Sequence, residues 1–200
     1  MKRRMGPDER RAAILAVARE EFGRRPYAAV SVADLAAAAG VSAPLVVFYF
    51  GSKQKLYLEV LRGAVDRIAE KLDAVPGEPS LERLAATVEL YAGYAREHPA
   101  GVLSVLRGFT DESQPEAMAI VGELRTALTE RLLADLSATG VTVPGDPTVV
   151  ELAVRSYLGY VDSAVTQWLS MPPERRDRIG PPHIARLAVG AFTGSLAALT

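Results

Sequence analysis

The stretch that most restricts how this chain can fold is residues 31–57, SVADLAAAAGVSAPLVVFYFGSKQKLY. Val32, Leu35, Ala36 and Ala39 recur at the three- and four-residue spacing of one helical face. Ser31 stands just before them, where a side-chain oxygen satisfies an N–H of the first turn. Gly40 follows, as a helix end often needs a positive φ that glycine adopts cheaply. Val41 fills the turn, Ser42 caps the next helix, and Pro44 sits in its first turn, where a missing N–H costs nothing. The connection is too short for antiparallel helices. The two helices must cross, which exposes the second one for a groove. Val41, Leu45 and Phe48 are expected to continue the small core begun by the first helix.

The rest of the chain reads as helix after helix. Residues 8–22 form a first helix, with Asp8 and Glu9 suited to its positive end. A fourth helix is expected over 52–72, with Leu56, Val60, Ala64, Ile68 and Leu72 on one face. Val75-Pro76-Gly77-Glu78-Pro79-Ser80 breaks it. Further helices are expected over 81–98, stopped by Pro99, then over 100–108, 116–138, 148–170 and 183–199. Met171-Pro172-Pro173 stops the long helix before it, and a charged loop with one helical turn leads to the last. No strand, repeat or low-complexity tract is expected.

With 49% hydrophobic residues in 200, the chain has material for a sizeable core. It has no cysteine, so disulfide and thiolate chemistry are excluded, which suits a reducing cytoplasm. No apolar run approaches the roughly 20 residues of a membrane span. The basic start, Met1 to Pro7, has no apolar stretch behind it and does not read as a signal peptide. The net charge of −1 hides an asymmetry: residues 1–62 hold eleven Lys and Arg against six acids, a net of +5, and the remainder has a net of −6. A basic head on an acidic body orients a molecule toward a polyanion.

Several ordered stretches then combine: Ile14-Leu15, Ala18 and Phe22; Pro26-Tyr27-Ala28-Ala29-Val30-Ser31; the run from Val32 to Ser42; and Phe48-Tyr49-Phe50, Gly51, Ser52-Lys53 and Leu56. Together they resemble the N-terminal signature of the TetR-type (tetracycline-repressor-like) transcriptional regulators. The resemblance is motif-level over residues 8–62 and architectural beyond. The chain departs from the pattern with Pro26 in place of Gly, with Val30 in place of a phosphate-binding Thr, and with Val47 and Phe48 in place of two Tyr. Its second short helix is therefore unusually apolar for a helix that reads base edges.

The resemblance implies an all-α fold. A three-helix helix-turn-helix DNA-binding domain, residues 1–55, precedes a helical ligand-binding and dimerisation domain, residues 56–200, and the helix over 52–72 links them. The helix over 42–49 should enter the major groove. Ser42 and Tyr49 are its polar candidates, and Ala43, Leu45 and Val47 are candidates for thymine methyl groups or sugar edges. Lys53, at a helix start, should meet a phosphate together with the N-terminal N–H groups. Tyr27 and Ser31 should hold the backbone on the other side, with Arg3, Arg4, Arg10 and Arg11 adding contacts through an arm. One head buries too little surface for tight binding, so a homodimer on a palindromic double-stranded operator is expected. The small residues Gly159, Ala164, Gly190, Gly194 and Ser195 make the last two long helices its natural surface.

The body is expected to hold an unknown small-molecule effector near Tyr94, His98, Arg107, Phe109, Tyr157, Asp162 and Trp168, polar or aromatic groups on apolar helices. Asp162, set among apolar neighbours, needs a partner: Arg155, a tyrosine hydroxyl, or a cationic ligand. Two His and no Cys do not make a transition-metal site, and no cofactor is implied. Effector binding would tilt the fourth helix and part the two heads, coupling effector and DNA negatively. An enzyme is disfavoured, since no nucleophile elbow, phosphate-binding glycine loop or His-Glu-x-x-His pattern is present. The alternative is a DNA-binding adaptor whose body binds a protein.

Overall fold

A computed structural model describes residues 6–110, 112–140 and 146–199, without the side chains of 109 and 110. The described residues form ten α-helices and one 3₁₀ turn, with no strand among them. The helices are α1 (Pro7–Arg24), α2 (Val32–Ala39), α3 (Ala43–Phe50), α4 (Lys53–Asp73), α5 (Leu81–Glu97), α6 (Pro99–Thr110), α7 (Pro115–Ala138), α8 (Pro147–Leu169), α9 (Pro173–Arg176) and α10 (Pro181–Ala197). The 3₁₀ turn, Tyr27–Ala29, lies between α1 and α2.

Helix starts differ from the sequence reading in a systematic way. Pro99, Pro115, Pro147 and Pro181 were expected to lie outside their helices, and each is instead the first helical residue. The first turn has no intrahelical acceptor for its N–H groups, so proline loses nothing there, and its fixed φ is already helical. Pro173 opens the short α9 in the same way.

Packing divides the chain into two compact units, residues 1–66 with 98–121, and residues 67–97 with 122–200. The first is thus discontinuous. α6 and the start of α7 pack with the N-terminal helices. The reason lies where α6 meets α1: a methyl group at Gly23 would overlap the backbone of Ala100, so glycine alone allows the approach. The buried core of this unit includes Ile14, Ala18 and Phe22 of α1, Leu35 and Ala36 of α2, Val46 and Phe50 of α3, and Leu56, Val60 and Leu61 of α4.

In the second unit α10 packs against α5 and α8. Val154, Tyr157, Val161, Val165 and Trp168 form the buried stripe of α8, at the spacing of one helical face. Ile184, Ala185, Ala188 and Phe192 do the same on α10, and Val88, Ala92 and Ala95 on α5. Trp168 is enclosed, and its indole N–H donates to the Arg176 carbonyl at 3.2 Å, which ties α9 to the end of α8.

Overpacking at the α1–α6 contact should be costly. Gly23→Ala is expected to lower the unfolding free energy by about 1–3 kcal/mol. Gly122→Ala, where the added carbon meets nothing within 4 Å, should raise it by up to about 1 kcal/mol through helix propensity. Urea unfolding of the two variants checks both signs.

Candidate nucleic-acid interface and effector site

The geometry of α2 and α3 begins with their caps. The Ser31 hydroxyl accepts from the Asp34 N–H at 3.0 Å, and the Asp34 carboxylate accepts from the Ser31 N–H at 3.1 Å. These bonds hold the Asp34 carboxyl below the usual carboxylate range. At the other end Gly40 takes φ 66°, and the Val41 N–H reaches back to the Ala36 carbonyl at 2.9 Å. This left-handed end turns the chain sharply. α3 departs from α2 at 102°, within the range of helix-turn-helix pairs.

Rotation of α3 about its own axis decides what it presents. Val46 and Phe50, one turn apart, are buried. Val47 is 46% exposed and Phe48 79% exposed. The expectation that Phe48 belongs to the core is therefore corrected: two residues beyond Val46, about 200° around the helix, it points away from it. Ala43, Leu45 and Tyr49 are half-buried and Ser42 is exposed. The Ser42 hydroxyl makes no capping hydrogen bond. Tyr49 lies edge-on to Phe48, with ring centroids 5.4 Å apart. Sequence reasoning missed Phe48 because α3 is apolar all round and offers no polar stripe to mark its outer side.

Lys53 is the first residue of α4. Its ammonium donates to the carbonyls of Tyr27 at 3.0 Å and Val30 at 2.9 Å, and lies 3.9 Å from the centre of the Tyr27 ring. It clamps the 3₁₀ turn ahead of α2. The Tyr27 ring packs against Phe22 and Tyr57, and burial pushes its phenol up. Ser31 remains exposed beside it. Of the basic residues assigned to an arm, Arg10 and Arg11 lie within α1, while Arg3 and Arg4 fall outside the described residues. Arg11 grips Glu59 through both carboxylate oxygens at 2.8 and 2.9 Å and covers the Phe50 ring. Arg25 bridges Glu21 and Asp34.

The residues assigned to an effector are shared between the two units. His98 and Arg107 belong to the first unit, whereas Tyr94, Tyr157, Asp162 and Trp168 belong to the second. The Arg107 guanidinium donates to the carbonyls of Phe22 and Gly23, closing the end of α1. The side chain of Phe109 lies outside the described residues. Asp162 pairs with Arg125 of α7 at 2.6 Å and accepts from the Tyr91 hydroxyl of α5. Arg125 thus supplies the positive charge considered for a ligand. Arg155 is not the partner, because it pairs with Glu151 one turn away at 2.7 Å. Burial pushes the Asp162 carboxyl up to about 6, against the opposing pull of Arg125 and Tyr91. Tyr157 is buried against Phe192, and its hydroxyl has no partner among the described residues.

An exposed helix set across its predecessor by a left-handed glycine, in the basic part of the chain, defines a helix-turn-helix protein. Residues 14–60 match the family model described as bacterial regulatory proteins, tetR family, and residues 81–186 match the tetracyclin repressor-like C-terminal domain. A solved structure of a TetR-family transcriptional regulator from Streptomyces coelicolor superimposes with a TM-score of 0.73 at 31% identity, covering 98% of this chain and 83% of that one. The helix-turn-helix-type regulator EthR of Mycolicibacterium smegmatis is 33% identical over 97 residues, 46% of this chain and 44% of its own. The activator FasR of the same organism is 34% identical over 100 residues, 49% of this chain and 46% of its own. The chain belongs to the TetR family of transcriptional regulators. Its matches span less than half the length of those two curated relatives.

Two outcomes are expected. Lys53→Met should lower the unfolding free energy by about 1–3 kcal/mol through loss of two charge-assisted hydrogen bonds, while Lys55→Met, at an exposed site, should change it by under about 0.5 kcal/mol. Asp162 titrates near pH 4 in an unfolded chain and at about 6 in the folded one. Between those values the folded chain keeps a proton that the unfolded chain has lost. The stability contributed by this group is fullest below about pH 4 and is lost as pH rises through about 6. The unfolding free energy of wild type relative to Asp162→Asn should therefore rise as pH is lowered from 7 to 4.5. A difference independent of pH contradicts it.

Proposed function

We propose that this chain is a DNA-binding transcriptional regulator, a repressor that leaves a palindromic operator when a small molecule binds its C-terminal part. The observation that carries the reading is α3, turned 102° from α2 with its outer side exposed, in a segment of net charge +5. A helix so placed fits the major groove, and the surrounding charge favours a polyanion. Ser42, Leu45, Val47 and Tyr49 are assigned to the groove, and Ser31, the α4 N-terminus and Tyr27 to the backbone on either side.

A second copy of the chain completes the reading. Val149, Leu152 and Tyr160 of α8 and Leu187 of α10 are exposed, an apolar set that a single chain leaves uncovered. Added carbons at Gly159, Gly190 and Gly194 meet nothing within 4 Å, so these glycines serve no close approach within the subunit. Small residues on exposed helices let a symmetry-related pair come close. A groove of about 260 Å³ beside Tyr160, Ser163, Gln167 and Leu187 runs along the same side. The effector is assigned to the second unit, where the Tyr157 hydroxyl is a buried donor awaiting an acceptor. α4, continuous from Lys53 into that unit, is the route by which occupancy would bias α3. Among the described residues no single helix is long and apolar enough to cross a membrane, in keeping with a cytoplasmic site of action.

Selection of genomic fragments on the immobilised protein, followed by sequencing, tests the reading. Enrichment of an inverted repeat with half-sites at least about one helical turn apart is expected. Recovery of no preferred sequence contradicts it. Leu187→Glu should convert a dimer to a monomer in sedimentation velocity and weaken binding to the selected duplex by at least about 10-fold. An unchanged sedimentation coefficient would remove α10 from the interface.

A further inference from the structure

We propose that Phe48 reads thymine C5-methyl groups, so that sequence recognition by α3 rests on apolar contact more than on hydrogen bonds to base edges. This deepens the operator reading above and depends on α3 being the helix that enters the groove.

Among the described residues Phe48 is the most exposed large apolar side chain, at 79%. It does not hang loosely: the Tyr49 ring stands edge-on against it, at 77° between the ring planes, and its helix is anchored behind by buried Val46 and Phe50. Val47 beside it is 46% exposed. The sequence of α3, APLVVFYF, contains no Arg, Lys, Asn, Gln, Asp or Glu. The bidentate contacts that distinguish guanine and adenine in the major groove need those side chains. What α3 offers instead is a phenyl ring and a branched aliphatic chain. The apolar group that the major groove presents to such side chains is the C5-methyl of thymine. Water surrounds both partners when they are apart, and contact removes apolar surface from it on both sides. The net charge of +5 over residues 1–62 supplies the sequence-independent attraction to the duplex, leaving α3 to discriminate.

Deoxyuridine differs from thymidine only by that methyl group, so it isolates the contact. Affinity for the selected duplex is to be measured by fluorescence anisotropy with each half-site thymine replaced in turn by deoxyuridine, for wild type and Phe48→Ala. At least one replacement per half-site is expected to weaken wild-type binding about 3–10-fold. Phe48→Ala should bind the thymine and deoxyuridine duplexes alike, at the weakened level. A ring this exposed contributes little to the fold, so the variant should melt with wild type. If Phe48→Ala weakens binding while no deoxyuridine replacement does, the ring meets sugar or backbone and the proposal is wrong. If the variant binds as wild type, the proposal is also wrong. If neither protein binds any duplex, the operator reading falls and takes this one with it.

Discussion

Everything proposed for the N-terminal part depends on the turn at Gly40. Its φ of 66° lies in a region that L side chains avoid, and it lets α2 end within one residue of the start of the Val41–Ser42 link. The 102° angle that results puts α3 across α2, where it is held by Val46 and Phe50 and not along its whole surface. A wider loop would let the two helices lie antiparallel and bury both faces. Exposure of Val47 and Phe48 is thus a consequence of backbone geometry, not of local sequence preference.

Much of the positive charge near α3 is spent within the subunit. Lys53 holds the carbonyls of Tyr27 and Val30, Arg11 holds Glu59, and Arg25 holds Glu21 and Asp34. Arg107 holds the carbonyls at the end of α1. Each of these cations joins elements far apart in sequence or caps a helix end, where charge-assisted hydrogen bonds are stronger than neutral ones. They tie α1 to α4 and to α6, α1 to α2, and the 3₁₀ turn to α4. The same logic applies in the second unit, where Arg125 and Tyr91 bring α7 and α5 to Asp162 of α8. A carboxylate so enclosed is retained because its partners surround it, and removing one would leave a buried charge.

The sequence made the helices legible wherever apolar spacing and caps agreed. The bounds of α2 follow from Ser31 and Gly40, and the face of α4 from Leu56, Val60, Ala64, Ile68 and Leu72, all of them buried. The prolines were misread because proline stops one helix and opens the next with equal ease, and only the backbone distinguishes the two. Phe48 was misplaced because periodicity needs contrast, and APLVVFYF has little. Lys53 and Asp162 show a different limit. Their partners, Tyr27 and Val30 for one and Arg125 and Tyr91 for the other, are brought near by tertiary packing that no local pattern encodes. The closeness of α1 and α6 at Gly23 and Ala100 is of the same kind.

The central claim is that the exposed side of α3 meets DNA, and a single charge tests it most directly. Val47 is 46% exposed, so Val47→Glu leaves the core intact while placing a carboxylate on that side. Binding to the selected duplex is to be measured by anisotropy alongside thermal unfolding of the same samples. The account predicts a loss of affinity of at least about 100-fold from bringing a negative charge against the polyanion, with the melting temperature unchanged. Affinity equal to wild type in a folded Val47→Glu protein would mean that α3 does not face the DNA.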